Sequence, residues 1–377
     1  MVEVHMLPVA EGDFLWIRYG HDLYSNILID GGPRNHGRKF KNVLTTIEQR
    51  GEKVDALILT HIDEDHIQGA LEGMSQCSSS TLQKLIQGIY FNTCRGIRAS
   101  SEHCTDEVGY AEDELSCKIP NGGFGVSHAV KFLDLLEQKG LRDVLHEFIC
   151  AGQEIQIAGA KLRIISPGRK ELDKLANQWE AYKNPVIETG FSPCPSKLLK
   201  KDITTLQKEP FSSDYSVNNR SSIAFLLEYD NCRMAFLGDA AASVCMNGLK
   251  KIGISKPYPV DFIKLSHHGS RSNTSNRLLK MLPTQNYLIS TNGFTLKKQN
   301  TVPSKITISH LLRPEFISGN PVNVFANYRW WETTYHSKYF TENDDRDYLK
   351  PGLLNLIWIK KDHIYIKPGL KVCGENG

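Results

Sequence analysis

The sequence predicts an α/β fold, and three observations carry the prediction. Short apolar runs of strand length end in Gly, Asp or His turns. Segments with helical spacing follow several of them, and the alternation resumes near residue 221 after a long irregular middle. With 377 residues, 40% of them hydrophobic and 23% charged, the composition is ordinary for a soluble globular protein. No run approaches the roughly 20 apolar residues of a membrane helix. The start, Met1-Val2-Glu3-Val4-His5-Met6, lacks the basic-then-apolar order of a secretory signal. Nine scattered cysteines without a Cys-x-x-Cys read as reduced packing thiols of a cytoplasmic protein. A net charge of +3 does not by itself indicate nucleic acid.

In chain order, Val2–Leu7, Phe14–Tyr19 and Asn26–Ile29 read as strands, with turns at Gly12-Asp13 and Gly20-His21-Asp22. The third ends in Asp30-Gly31-Gly32, where glycine allows a sharp path and close approach. Lys39–Gly51 has helical spacing, Val54–Leu59 is a strand, Ile67–Met74 a helix and Gly88–Phe91 a strand. Residues 95–220 form an insertion and loop region within one domain spanning 1–377. Within it, Val126–Gln138 is helical, Glu154–Ile157 and Lys161–Ile165 make a hairpin, 168–182 is helical, and 184–216 is a long, mobile loop. Strands return at Ser221–Tyr229, Arg233–Leu237, Val260–Leu265 and Tyr287–Ser290, followed by a helix over Ser304–Leu312. Residues 320–377 supply the last strands, Val322–Tyr328, Leu353–Ile359 and His363–Lys367.

The most informative stretch follows Ala56–Leu59. His61, Asp63, Asp65 and His66 place four potential metal ligands within six positions. An extended segment turns His61, Asp63 and Asp65 to one side, and a turn into a helix adds His66. Acids and imidazoles this crowded are costly without a cation. The competing explanation is a polar loop with Asp65 as helix N-cap.

His-x-Asp-x-Asp-His resembles the His-x-His-x-Asp-His signature of the metallo-β-lactamase superfamily, with Asp at the second position. Three further blocks, Gly238-Asp239, Ser266-His267-His268-Gly269-Ser270 and Asn219-x-x-Ser222, are similar to the hydrolase domain of the DNA-uptake channel ComEC and its soluble relatives. The resemblance covers roughly residues 1–310 in motif order and implies a four-layer αββα metallo-β-lactamase sandwich with insertions. It implies Asp30 as the carboxylate beneath the site that orients a ligand. It implies one divalent ion on His61 and Asp63, and a second on Asp65, His66 and either His267 or His268, with Asp239 bridging. The remaining His would touch substrate or serve as acid, so Asp65, His267 and His268 are the catalytic candidates. Asn219, Ser270 and Arg271 are the substrate candidates, and Asn219-x-x-Ser222 equally suits a brace between loops. Asp63 in place of an imidazole favours Mn²⁺ over Zn²⁺, and both fit. The superfamily's usual further His has no clear match among His103, His128 and His146, and Val302 stands where relatives carry His before Pro303.

Two ions about 3.5–4 Å apart can share a hydroxide and polarise a substrate oxygen. The expected activity is metal-dependent hydrolysis of a phosphodiester in a nucleic acid or nucleotide, with Arg271, Arg277 and Lys280 after the His pair. The alternatives are hydrolysis of a non-phosphate ester, thioester, lactone or lactam, and a metal-binding interaction module with a protein partner and no turnover; no membrane partner is expected. A segment with Tyr328, Arg329, Trp330, Trp331, Tyr335, Lys338, Tyr339 and Phe340 reads either as a base-stacking surface or as packing of a terminal strand.

Overall fold

The computed structural model describes residues 1–100, 123–181, 198–293, 302–317, 320–332, 338–360, 363–366 and 373–374. Its first sheet begins with β1 (Val2–Met6), β2 (Leu15–Gly20), β3 (Tyr24–Ile29), β4 (Ala56–Ile58), β5 (Ile89–Tyr90) and β6 (Leu145–His146). The second holds β7 (Glu154–Ile157), β8 (Ala160–Ser166), β9 (Ala224–Tyr229), β10 (Cys232–Phe236), β11 (Phe262–Lys264), β12 (Asn286–Ile289), β13 (Val322–Ala326) and β14 (Leu354–Trp358). The chain then returns to the first sheet as β15 (His363–Ile366) and β16 (Cys373–Gly374). The strand orders are β16-β15-β1-β2-β3-β4-β5-β6 and β14-β13-β12-β11-β10-β9-β8-β7.

The period-two pattern of the strands builds the layers. Val2, Val4 and Met6 of β1 and Leu15, Ile17 and Tyr19 of β2 point inward and meet Phe225, Leu227, Met234 and Phe236 of the second sheet in one apolar core. The other face of the first sheet (Trp16, Leu28, Leu57, Ile89) packs against Phe40, Ile67, Met74 and Phe132 from helices. The outer face of the second sheet (Leu226, Ala235, Ile263, Ile289) packs against Leu249, Leu279 and Ile308. Three apolar layers between four structural layers make the αββα sandwich. Central strands carry apolar residues on both faces because both faces are covered.

Several elements differ from their sequence reading. The helix after the ligand stretch starts at Glu64, so Asp65 and His66 both lie in its first turn. The N-cap position is Asp63, not Asp65, and its side chain makes no cap bond. Asp65 therefore reaches the site through helical geometry rather than strand alternation. Asn219 lies in a short helix, Val217–Arg220, and the strand that follows starts at Ala224 rather than Ser221. The described part of the presumed loop, 198–216, is tied down: Asp344 Oδ1 accepts the Ile203 N–H at 2.7 Å and the Gln207 amide donates to the Leu312 carbonyl at 2.8 Å. Residues 182–197, most of the polar stretch after Ala99, and Tyr335 lie outside the described residues. Trp330 and Tyr339 are each 1% exposed and their rings pack edge to face, so the aromatic segment is core packing at these positions rather than an open stacking surface. Cys77, Cys232 and Cys245 are free thiols, the last two buried. Among the described residues, no helix is long and apolar enough to cross a membrane.

Close backbone approach seats the ligand-bearing helix. Gly31 N–H donates to the His66 carbonyl at 2.7 Å, and Gly69 N–H donates to the Gly32 carbonyl at 2.8 Å. A Cβ on Gly69 would lie 2.0 Å from the Gly31 carbonyl oxygen. Gly69→Ala is therefore expected to cost about 1–3 kcal/mol through overpacking and to displace His66. Urea denaturation and metal titration check it; unchanged values in both would show that the helix slides freely at this contact.

Candidate metal centre

The site forms where β3, β4, β10 and β11 end, and β-strand ends are rigid places from which to project side chains. Asp30 organises the first half from a left-handed backbone, φ 58°. Its carboxylate accepts the Thr60 N–H at 2.7 Å and the Thr60 hydroxyl at 2.8 Å. It also holds His66 Nδ1 at 2.8 Å. Thr60 Oγ1 in turn lies 3.0 Å from His61 Nδ1. One buried acid thus sets the direction of two imidazoles, and both turn Nε2 to the same point.

Asp239 receives them. Its Oδ2 lies 3.8 Å from His61 Nε2, 3.5 Å from His66 Nε2 and 3.7 Å from His267 Nε2. Asp63 Oδ2 is 3.6 Å from His61 Nε2, and its other oxygen accepts the Asn218 amide at 2.5 Å. Asp65 Oδ2 lies 3.6 Å from His66 Nε2 and 3.3 Å from His268 Nε2. Two of the three compact ligand sets among the described residues, His61–His66–Asp239 and Asp65–His66–His268, lie here, and the third joins Asp13 and Asp30 to His66. Among the described residues, Nε2 of His61, His66 and His268 and Oδ1 of Asp239 are buried without a hydrogen-bond partner. Buried polar atoms are rarely left so, and a shared cation accounts for all four. The donor set of imidazole nitrogens and carboxylate oxygens suits divalent transition ions.

The two adjacent histidines separate here. His267 and His268 both adopt left-handed backbones (φ 51° and 52°), which cost roughly 1–2 kcal/mol each for non-glycine residues. The turn is held by the His267 N–H on the Gly238 carbonyl at 2.9 Å and the Ser304 N–H on the Gly269 carbonyl at 3.0 Å. His268 is buried, with Nδ1 2.9 Å from the Ser290 carbonyl and Nε2 directed at Asp65. The His267 side chain keeps 34% of its surface open, against 4% for His268. Opposite charges support one another across the cluster. Burial opposes ionisation of Asp65, but His66 and His268 outweigh it and bring its pKa down to about 2. Burial likewise disfavours charge on His268, but Asp13 and Asp239 outweigh it and raise the pKa to about 10.

The remaining predicted residues fall around this cluster. Ser222 Oγ accepts the Asp239 N–H at 3.0 Å, so the Asn219-x-x-Ser222 block braces Asp239. Asn219 is 6% exposed and its amide is spent on Asp214 at 2.7 Å, which favours the bracing role over contact with substrate. Ser270 and Arg271 are half-buried just past the His pair. Arg277 is exposed, and Lys280 pairs with Glu315 at 3.9 Å. Of the further histidines, His103 lies outside the described residues, and His146 stacks on Tyr90 at the sheet edge. His128 is buried with Nδ1 unpartnered, yet it joins neither ligand set.

Two supporting groups escaped the sequence reading. Asp13, taken there as part of a turn, is 1% exposed, pairs with the buried Lys264 and lies 3.4 Å from His268 Nδ1. Its only local signal is Gly-Asp before a strand, which ordinary turns share. Asp214 contacts His267 from the patternless segment, where nothing local marks it.

Residues 22–77 match the model of the metallo-beta-lactamase superfamily. No curated protein matches the chain in sequence. Among solved structures, the metallo-beta-lactamase fold protein YhfI from Bacillus subtilis is 7% identical, covering 95% of this chain and 97% of that one, with a TM-score of 0.38. A protein described as a metal-dependent hydrolase from Parabacteroides distasonis is 10% identical over 87% of this chain and 94% of that one, with a TM-score of 0.37. A diphosphatase of the PhnP family is 10% identical over 97% and 87%, with a TM-score of 0.34. Likenesses this distant do not speak to the reaction. The matched residues are the ones that carry Asp30 and the His61–His66 loop, and they sit in an αββα sandwich: over this stretch the chain is similar to the metallo-β-lactamase superfamily.

Proposed function

We propose that the protein is a divalent-metal-dependent phosphodiesterase acting on a nucleic acid or nucleotide. The observation that supports this best is the ligand set itself: three carboxylates, Asp63, Asp65 and Asp239, among the converging Nε2 atoms. Asp63 in place of an imidazole makes the set harder, and harder ions suit phosphoryl oxygens. In this reading His61 and Asp63 hold one ion, Asp65, His66 and His268 hold the other, and Asp239 serves both. Bound divalent ions would supply activated water and Lewis acidity toward the phosphoryl oxygen. His267 adds its Nε2, 3.7 Å from Asp239 Oδ2, to the first ion from the edge of the cluster, and Ser270 and Arg271 flank the open side of its ring, where substrate approaches. The likeness of the Ser266–Ser270 block to the ComEC-like hydrolases supports nucleic acid over other phosphodiesters.

The test is hydrolysis of bis-p-nitrophenyl phosphate and labelled single-stranded DNA after chelation and re-addition of Mn²⁺ or Zn²⁺, beside Asp65→Ala. Metal-dependent cleavage by the parent, reduced about 10³-fold or more by Asp65→Ala, is expected, several kcal/mol of transition-state stabilisation. Two ions bound per chain with no cleavage of either substrate would overturn the phosphodiesterase reading in favour of a non-phosphate substrate or an interaction role.

A further inference from the structure

We propose that Asp214 is a positioning residue of the metal centre, holding the Nδ1 edge of His267 so that Nε2 faces Asp239. The inference rests on the metal-centre reading above and is independent of the substrate.

Each imidazole of the cluster has its own support behind Nδ1. His66 has Asp30 at 2.8 Å, His61 has Thr60 Oγ1 at 3.0 Å, and His268 has the Ser290 carbonyl at 2.9 Å. His267 has a polar nest: Asn273 Oδ1 at 3.2 Å, Asp214 Oδ2 at 3.4 Å and Asn219 Nδ2 at 3.4 Å. The amides sort out the donors. Asn273 Nδ2 donates to the Asp239 carbonyl at 2.9 Å and to Asp214 Oδ2 at 3.1 Å, both acceptors, so its oxygen is the atom turned to His267. Asn219 Nδ2 is directed to Asp214 Oδ2 at 2.7 Å. Two acceptors therefore face His267 Nδ1, which fixes the proton there and leaves the Nε2 lone pair toward Asp239.

Asp214 is the hub of this nest. It orders both amides, and its own backbone is held by its N–H on the Ser272 carbonyl at 3.0 Å. Its Oδ1 also accepts the Ser216 N–H at 2.9 Å. His267 needs such a hold more than its neighbours do. Its side chain is 34% exposed and its backbone is left-handed, so the ring has room to turn away. The carboxylate comes from the segment before β9, outside the matched residues 22–77, and mirrors the role of Asp30 from the opposite side of the cluster.

The experiment compares parent and Asp214→Ala by two readouts, neither of them turnover. In chelator competition with Mn²⁺ and with Zn²⁺, one of the two bound equivalents is expected to weaken about 10–100-fold, with the other unchanged. In long-range ¹H–¹⁵N spectra of the Zn²⁺-loaded protein, with His267→Gln assigning the ring, the parent shows Nδ1 protonated and Nε2 without a proton, and Asp214→Ala shows a mixed or reversed pattern. Should Asp214→Ala not fold, Asp214→Asn, which keeps the volume but opposes its amide to those of Asn219 and Asn273, carries the same expectations. Superimposable metal curves and an unchanged tautomer would overturn the proposal. A protein that shows these shifts yet cleaves no phosphodiester would overturn the proposed substrate while leaving Asp214 in its role.

Discussion

Asp239→Ala is expected to abolish metal-dependent hydrolysis and to leave at most one ion bound per chain. Among the described residues, its Oδ2 is the one carboxylate oxygen within 4 Å of three imidazole Nε2 atoms, those of His61, His66 and His267. No neighbouring acid can take its place, because Asp63 and Asp65 approach from opposite sides of the cluster, toward His61 and toward His66 and His268. Losing a shared ligand removes several kcal/mol of charge stabilisation, a rate loss of about 10³-fold or more at 1.36 kcal/mol per tenfold. Metal content after dialysis and turnover of bis-p-nitrophenyl phosphate with added Mn²⁺ measure it. Two retained ions with a rate within tenfold of the parent would show that Asp239 is not shared between sites. Asp239→Asn separates charge from shape: it keeps the N–H to Ser222 Oγ and should fold as the parent does while losing metal.

Asp344→Ala is expected to cost about 3–5 kcal/mol of stability, the usual penalty for removing one partner of a buried ion pair. Lys305 Nζ lies 2.6 Å from Asp344 Oδ2, and the two side chains are 0% and 1% exposed. The same carboxylate accepts the Ile203 N–H at 2.7 Å and the Thr341 N–H at 2.9 Å. One acid therefore joins the helix Lys305–Leu311, the segment that leads to Asp214, and the capping box at Thr341. Without it, the buried ammonium keeps the Leu199 carbonyl at 3.0 Å but loses its paired carboxylate, and two backbone donors lose their acceptor. Urea denaturation reads the loss. Lys305→Met with Asp344→Leu should recover part of it, because an apolar pair replaces the charges while the two N–H groups stay unsatisfied. A loss below about 1 kcal/mol for Asp344→Ala would show that water reaches Lys305 in the folded protein.

The His61–His66 loop was legible because its information is local. A strand end and the first turn of a helix are short-range structures, and four ligand-type side chains within six positions stay together however the rest of the chain packs. The strands were legible for a similar reason, since alternation in β1 and β2 reports directly on which side faces the inter-sheet core. Where the reading slipped locally, as in placing Asp65 on extended backbone, the helix began a few residues earlier than its apolar spacing shows. Polar first-turn residues leave no periodic trace.

The division of labour between His267 and His268 had no such trace. Adjacent identical residues differ only in the backbone turn and in what covers each ring, and β12 with its Ser290 carbonyl covers one and not the other. Trp330 and Tyr339 illustrate the same limit. Aromatics interleaved with basic residues suit a stacking surface and a core equally well as composition, and burial to 1% exposure decides for the core.

By itself, then, the sequence determined the α/β alternation, the strand faces, and the clustering of His61, Asp63, Asp65 and His66, because backbone periodicity and short loops impose these whatever their surroundings. Only the tertiary structure decided that Asp13 pairs with Lys264 beneath His268, that Asp214 stands behind His267, and that Asp239 sits at the focus of three imidazoles. Those pairings join residues up to 251 positions apart. They form because burying any one of these charges alone is too costly, so the packing of distant segments selects the partner.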